Sequence, residues 1–199
     1  QARQRSDGSF GMWTRDGERY TYPFLTVHVV HALMLAKAKG FDVPDDMLER
    51  SAPYLEDIED HYDEWHTNPK VRRTISAYAL YVRDLMGDKD AGKTKKLLAE
   101  APIEEMPFEA LGWILSVLSD DAGSAEETAS IVGFLLNRTT ETAAAATFVT
   151  NYDDGGWLIM HSNRRADGVL LEALIKAGKN SETLAASANA ANEWGADAL

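Results

Sequence analysis

Not one cysteine occurs in the 199 residues. Disulfides, thiolate metal sites and a cysteine nucleophile are therefore excluded within this chain, although the redox compartment is not thereby fixed. Positive charge is also scarce: 20 Lys and Arg stand against 32 Asp and Glu, a formal net charge of -12. Nucleic-acid affinity comes largely from cations that displace counterions from phosphates, so this balance opposes such a partner. Long apolar runs are missing as well. Nothing approaches the roughly 20 consecutive apolar residues of a membrane span, and the N-terminus QARQRSDG has neither an initiator Met nor the apolar core of a signal peptide. The chain is expected to be an excised piece of a longer protein, without direct membrane contact. Gly-x-Gly-x-x-Gly, a Walker loop and Gly-x-Ser-x-Gly are all absent, which removes the usual footholds for nucleotide binding and serine hydrolysis.

What is present is helical. With 45% hydrophobic residues the chain can bury a core of ordinary size. Segments apolar on nearly every side alternate with segments apolar on one side only. The first kind comprises FLTVHVVHALMLA at residues 24–36, VRRTISAYALYVRDLM from Val71, FEALGWILSVL from Phe108 and ADGVLLEALIKA from Ala166. The second is typified by DDMLERSAPYLEDIEDHY, where Leu48, Leu55, Ile58 and Tyr62 share a face and Glu49, Glu56, Glu59 and Asp60 point elsewhere. Helices buried on both sides beside helices wet on one side make two layers. The prediction is an all-α fold, an alpha/alpha toroid of inner and outer helical hairpins, here an incomplete ring and a single domain over residues 1–199. Turns are expected after the first inner helix at Gly40, at Pro44-Asp45-Asp46, at Asn68-Pro69, at residues 121–124 and at residues 178–181. SFGMW and GWLIM are the only short strand candidates.

Two glycine-turn segments carry a resemblance, QRSDGSFGMW at residues 4–13 and NYDDGGWLIMHSNRRADGVLLEALIKAG at residues 151–178. The order QRSDGSFGMW, then PFLTVHVVHALMLAKAKGFDVPDDMLERSAPYL, resembles the DGSFG-W turn and the two following helices of bacterial alpha-2-macroglobulin thioester domains, with Thr26, Ala32, Leu33, Ala36, Gly40, Val43, Pro44 and Leu48 at matching positions. RTTETAAAATFVTNYDDGGWLIMHSNRRADGVLLEALIKAG is similar to a downstream stretch of the same family. The resemblance covers most of the chain.

What it implies is a piece of a large periplasmic or extracellular protease trap, its parent lipid-anchored in some members, which closes on a protease that has cleaved its bait segment. It implies no enzyme activity, no cofactor and no bound metal. The partners would be trapped proteases and other domains of the parent. The family's Cys-x-Glu-Gln motif, which forms an internal thioester, is not in this sequence; it lies N-terminal to the DGSFG turn, so it either precedes Gln1 or never existed in the parent. Tyr20 and Tyr22 are the candidates to cover a thioester, with the plainer reading that they only cap the end of the helical ring. In complement-type relatives a histidine passes the acyl group to hydroxyls. Residues 12–24, the stretch read as corresponding, contain none, so coupling to amines is expected, with His28 the nearest imidazole.

Other residues permit other readings. His28 and His31, three apart, are a possible metal pair but read better as polar insertions in an inner helix with nearby partners, since no third ligand has a useful spacing. His61 and His66 in HYDEWH read as part of a solvated acidic hairpin, because the order fits neither an EF-hand nor His-Glu-x-x-His. Asp153-Asp154 before two glycines reads as a turn, or as the general acid of a terpene cyclase or prenyltransferase-like enzyme with the same double helical barrel, the alternative function. The aliphatic character of the inner helices opposes the cation-handling cavity that such an enzyme needs. His161, Arg164 and Arg165 read as a helix-start network, with Ser162 as N-cap and an arginine on an acidic neighbour.

Overall fold

Among the described residues, apolar periodicity is converted into seven α-helices. The computed structural model describes residues 4–12, 22–138, 140–141 and 146–180. The helices are α1 (Pro23–Ala38), α2 (Asp45–Glu56), α3 (Pro69–Leu85), α4 (Ala91–Leu98), α5 (Phe108–Leu118), α6 (Ala125–Arg138) and α7 (Asn163–Asn180). A two-residue antiparallel pair, β1 (Thr140–Glu141) and β2 (Ala146–Thr147), is joined in the register Thr140 to Thr147. The chain folds into two compact units, Gln1–Asp90 with Tyr152–His161, and Ala91–Asn151 with Ser162–Leu199. Among the described residues no helix is long and apolar enough to cross a membrane.

The first unit is built on α3, which packs against α1 and α2. Its start is fixed by chemistry: Pro69 needs no helical N–H partner at the first position, and Asn68 Oδ1 accepts from Lys70 N at 2.9 Å. From Ile75 to Arg83 every residue of α3 is buried, as the sequence pattern predicts for an inner helix. α2 buries Leu48 and Leu55 and leaves Glu49 and Glu56 in solvent; its predicted face continues into the 3-10 turn Ile58–His61 through buried Ile58. Gly40 follows α1 at φ +83°, and the Phe41 amide reaches back to Ala36 O at 3.1 Å, closing the helix as glycine caps do.

In the second unit α5 is enclosed: all residues from Glu109 to Leu118 are buried. It packs on α4, α6 and above all α7. Gly112 sets the α7 approach, since a Cβ there would stand 2.7 Å from Val169 Cγ1. Arg165 binds Glu109 with both arms of its guanidinium, at 3.0 and 3.3 Å, and the Glu109 side chain is 0% exposed. Lys176 donates to Ser116 O and pairs with Asp120, both at 2.7 Å. The arginine-to-acid pairing expected near His161 is therefore made by Arg165. Ser162 stands just before α7, and its carbonyl accepts from Arg165 N and Ala166 N.

Four expectations need correction. α1 and the stretch of α7 from Ala166, read as apolar on nearly every side, are enclosed on one side only, and Leu35 (51% exposed), Leu171 (62%) and Ile175 (49%) remain in solvent. Composition sets how much apolar surface a helix carries; how much is covered depends on how many neighbours it has. GWLIM is not a strand but the end of the 3-10 helix Asp153–Ile159, bounded by left-handed residues at both ends, Asp153 (φ 48°) and Met160 (φ 47°). Of SFGMW, whose Trp13 lies outside the described residues, the described part contributes a single bridge, Gln4 to Phe10. Finally, α7 runs through Gly178 instead of turning there; Ser181 lies outside the described residues.

Candidate functional site

The site lies in the first unit and begins with the turn QRSDGSF. Asp7 Oδ1 accepts from the Ser9 amide at 3.0 Å and the Ser9 hydroxyl at 2.7 Å, the self-bonded turn that aspartate favours. Gly8 takes φ +87° with the Arg50 carbonyl where a Cβ would be, 1.9 Å away. Gln4, buried, donates to Met47 O at 2.8 Å and Ser51 Oγ at 3.0 Å, and the Ser51 hydroxyl donates to Gly8 O at 2.9 Å. The Phe10 amide donates to Thr26 Oγ1 at 3.1 Å. The turn is thus bolted to α2 and α1, and it delivers Met12 to the start of α1.

Three further segments meet Met12. Tyr22, Pro23 and Leu25 come from the beginning of α1; Asp63, Trp65 and His66 from the loop before α3; Trp157, Leu158 and Met160 from the 3-10 helix. Together they line a cavity of about 400 Å³, open to solvent on the side where Trp157 and Met160 are exposed. Its walls are aromatic and aliphatic, with a few polar groups, as in most small-molecule or reactive-group pockets. The 3-10 helix is held against α3 by a donor and a hydroxyl: Asn68 Nδ2 donates to Tyr152 O at 2.8 Å, and Tyr152 Oη lies 3.0 Å from Thr74 Oγ1. Gly155 lets it come close, since a Cβ there would meet Val71 Cγ2 at 2.7 Å.

His66 is the polar wall. It is 3% exposed, and its Nδ1 stands 2.8 Å from Asp63 Oδ1. An ionised carboxylate only accepts, so the Nδ1 proton points to Asp63, and in the neutral ring Nε2 holds the lone pair. The loop is held by Asp63 Oδ1 accepting from the Trp65 amide at 3.0 Å, by Arg72 Nε donating to His66 O, and by Tyr62 stacked on the imidazole at 5.4 Å. Tyr62 in turn bonds Ser76 Oγ at 2.7 Å and Arg72 O at 3.0 Å. Such an imidazole is oriented for proton handling or nucleophilic attack.

Of the residues singled out in the sequence, Tyr22 lies on this cavity and Tyr20 lies outside the described residues. His28 is elsewhere, bonded to Tyr78 Oη at 3.0 Å together with His31 at 2.8 Å, the nearby partner expected for both. His61 stacks on Tyr54 with centroids 3.7 Å apart. His66 corrects its expectation, because it is buried in a wall and not solvated in a hairpin. Asp153 and Asp154 are exposed at the start of the 3-10 helix, as a turn requires. Trp65, Trp157 and Met160 were missed. The available signal was two tryptophans set in polar, Asp- and Gly-rich turns, places where a large ring is retained for contact.

No protein-family model matches this chain, and no curated protein does. Solved structures do. The chain is similar to the native conformation of E. coli alpha-2-macroglobulin seen by cryo-EM, with 20% identity over 87% of this chain and TM-score 0.68. It is also similar to trypsin-activated alpha-2-macroglobulin from Escherichia coli (18% identity, 92% of this chain, TM-score 0.67) and to Salmonella alpha-2-macroglobulin reacted with methylamine (20%, 87%, 0.67). It spans only 10%, 12% and 11% of those chains. At this identity the likeness establishes the fold: an all-α array of helical hairpins of the kind built into bacterial alpha-2-macroglobulins.

Proposed function

We propose that this chain is part of the thioester-type helical domain of a bacterial protease trap of the alpha-2-macroglobulin kind, and that the cavity beneath Tyr22 shelters a reactive acyl group contributed from outside these residues. One observation carries the reading: Met12, at the end of the QRSDGSF turn that resembles the family's, and Tyr22 line the same largely apolar cavity. An acyl group prone to hydrolysis is preserved by excluding water, and aromatic walls do this. The chain itself holds no cysteine, so the thioester would come from a preceding segment of the parent. On this reading the piece is no enzyme. Its partners are the captured protease and neighbouring domains of the parent, and its place is the periplasm or the cell exterior. The similar structures, trypsin-activated in one case and reacted with methylamine in another, accord with it.

The test is made on the parent. Intact mass should rise by one methylamine adduct, and Tyr22→Ala should accelerate adduct formation before any protease is added, by roughly tenfold if one aromatic cover contributes about 1.4 kcal/mol to the barrier. No adduct on the parent overturns the thioester reading. An unchanged rate in the variant overturns the role of Tyr22.

A second reading of the coupling step rests on His66. Amine-directed coupling was expected because residues 12–24 lack histidine, with His28 as the residue to exclude. His28 is engaged with Tyr78, whereas His66 lines the cavity with Nδ1 held by Asp63. If Nε2 attacks the thioester carbonyl, the thiolate leaves, and an incoming hydroxyl then displaces the imidazole to give an ester. Protease activation of the parent in equal glycerol and methylamine decides between the two. Amide as the main product, unaltered by His66→Ala, upholds direct amine coupling; predominant ester that disappears in His66→Ala assigns acyl transfer to His66.

A further inference from the structure

His28 and His31 sit one turn apart on α1 and direct the same ring nitrogen at one oxygen. Tyr78 Oη on α3 is 3.0 Å from His28 Nδ1 and 2.8 Å from His31 Nδ1. A phenol has one proton, so it donates to one imidazole and accepts from the other. The rings are held in place by stacking and edge contacts. Phe24 stacks on His28 with centroids 6.1 Å apart, and Tyr81 meets His31 edge-on at 5.5 Å. Tyr78 is buried, His31 half-buried and His28 exposed, so the cluster opens to solvent chiefly at His28.

We propose that His28, His31 and Tyr78 form a three-donor site for a divalent transition-metal ion, with Cu²⁺ the preferred occupant and Zn²⁺ a weaker one. The proposal is independent of the protease-trap reading. Two imidazoles three residues apart on a helix are neighbours, but a pair alone holds a metal poorly. Among the described residues no group of three or more His, Cys, Asp or Glu gathers to hold a metal; it is the phenol that raises this pair to three donors. The spacing suits it. Metal–nitrogen and metal–oxygen bonds of about 2.0–2.1 Å place neighbouring ligands roughly 2.9 Å apart in the tetragonal geometry of copper and roughly 3.3 Å apart in the tetrahedral geometry of zinc. The two nitrogens already stand 3.0 and 2.8 Å from the oxygen, so copper needs little movement and zinc a few tenths of an ångström, which side-chain torsions supply.

The donor set chooses the ion. Imidazole suits copper, zinc and nickel, and divalent affinity peaks at copper, whereas calcium and magnesium require oxygen-rich shells that this cluster lacks. On binding, the metal takes the place of the phenol proton. That proton passes to solvent and the oxygen becomes a phenolate ligand; the imidazole whose Nδ1–H had donated to the phenol releases that proton to solvent and takes one up on Nε2, so that both rings bind through an unprotonated Nδ1. Water fills the outstanding positions from the His28 side.

The experiment titrates the metal-free chain with Cu²⁺, followed by calorimetry and visible absorption. One equivalent should bind, with a phenolate-to-copper charge-transfer band. Tyr78→Phe keeps the ring that packs against Phe24, and it should abolish the band and weaken binding at least tenfold while circular dichroism stays that of the parent chain. His28→Ala, a change at an exposed position, should weaken binding likewise. Zn²⁺ should compete for the same equivalent. Absence of stoichiometric binding overturns the proposal, as does copper bound with equal affinity and no band by the unaltered chain, Tyr78→Phe and His28→Ala. In that case the three groups are only a hydrogen-bonded tie between α1 and α3.

Discussion

Gly8 and Gly40 have nearly the same backbone conformation, at φ +87° and +83°, but different surroundings. A Cβ on Gly40 meets nothing within 4 Å, whereas one on Gly8 would overlap the Arg50 carbonyl at 1.9 Å. Gly40→Ala should therefore cost about 1 kcal/mol, the price of left-handed backbone alone. Gly8→Ala should cost about 3–4 kcal/mol, because the turn must also leave α2; urea denaturation of both variants checks the contrast. The Asp-Gly turn was legible in the sequence, since its chemistry is local. The clash was not, because Arg50 lies 42 positions away along the chain. The burial of His66 went unread because it comes from Tyr62, Asp63 and Arg72 around it, and an acidic stretch by itself looks solvated. Glu127 offers a pH test. Its carboxyl is held below the usual range by its own backbone amide first and by Lys95 next, 3.2 Å away. A depressed folded-state value means stability that is present above the ordinary carboxylate pKa and lost as pH falls through the lowered one. Glu127→Gln should thus melt slightly lower than the parent chain at neutral pH and equally at strongly acid pH, as thermal scans across pH will read; an equal melting difference at every pH counts against it.

At the scale of elements, α5 is the helix on which the second unit depends. Leu111 is fully buried, so Leu111→Asp should unfold the unit, whereas Glu56→Ala on the wet face of α2 should stay within about 0.5 kcal/mol. Glu109→Ala leaves Arg165 with its guanidinium partly buried and its bidentate partner gone, and should cost about 3 kcal/mol. Circular dichroism melts rank the three. The helices themselves were easy to see, because α2, α3 and α5 each carry a pattern that agrees with their burial. α1 and α7 show where pattern runs out: FLTVHVVHALMLA and ADGVLLEALIKA look as enclosed as FEALGWILSVL, yet only one side of each is covered. The 3-10 helix was misread for a related reason. GWLIM has strand-forming residues, but the left-handed Asp153 and Met160 at its ends and the close seat of Gly155 on Val71 compact it into a turn.

For the whole molecule, the uncovered apolar side chains have a consequence in solution. Leu35 and Phe41 in the first unit, and Val149, Leu171 and Ile175 in the second, are each about half or more exposed. Exposed apolar faces of this kind associate. Sedimentation at rising concentration should reveal weak self-association; a strictly monomeric species that binds no hydrophobic dye would contradict it. The isolated chain should also leave protease activity unaffected and gain no methylamine in intact-mass measurements, since it has no cysteine from which a thioester could form. The division of the chain bears on its manufacture. The first unit is discontinuous, and Tyr152–His161 joins it only after the polypeptide has passed through Ala91–Asn151. Tyr152 and Ile159 are buried in the finished unit, and Asn68 and Thr74 have bonding partners on Tyr152. On a ribosome adding about 5–20 residues per second, α3 emerges several seconds before that segment. Throughout that interval the nascent chain must wait with one flank of its central helix unfinished, an opening in which chaperone engagement or misassembly is decided by the pace of translation.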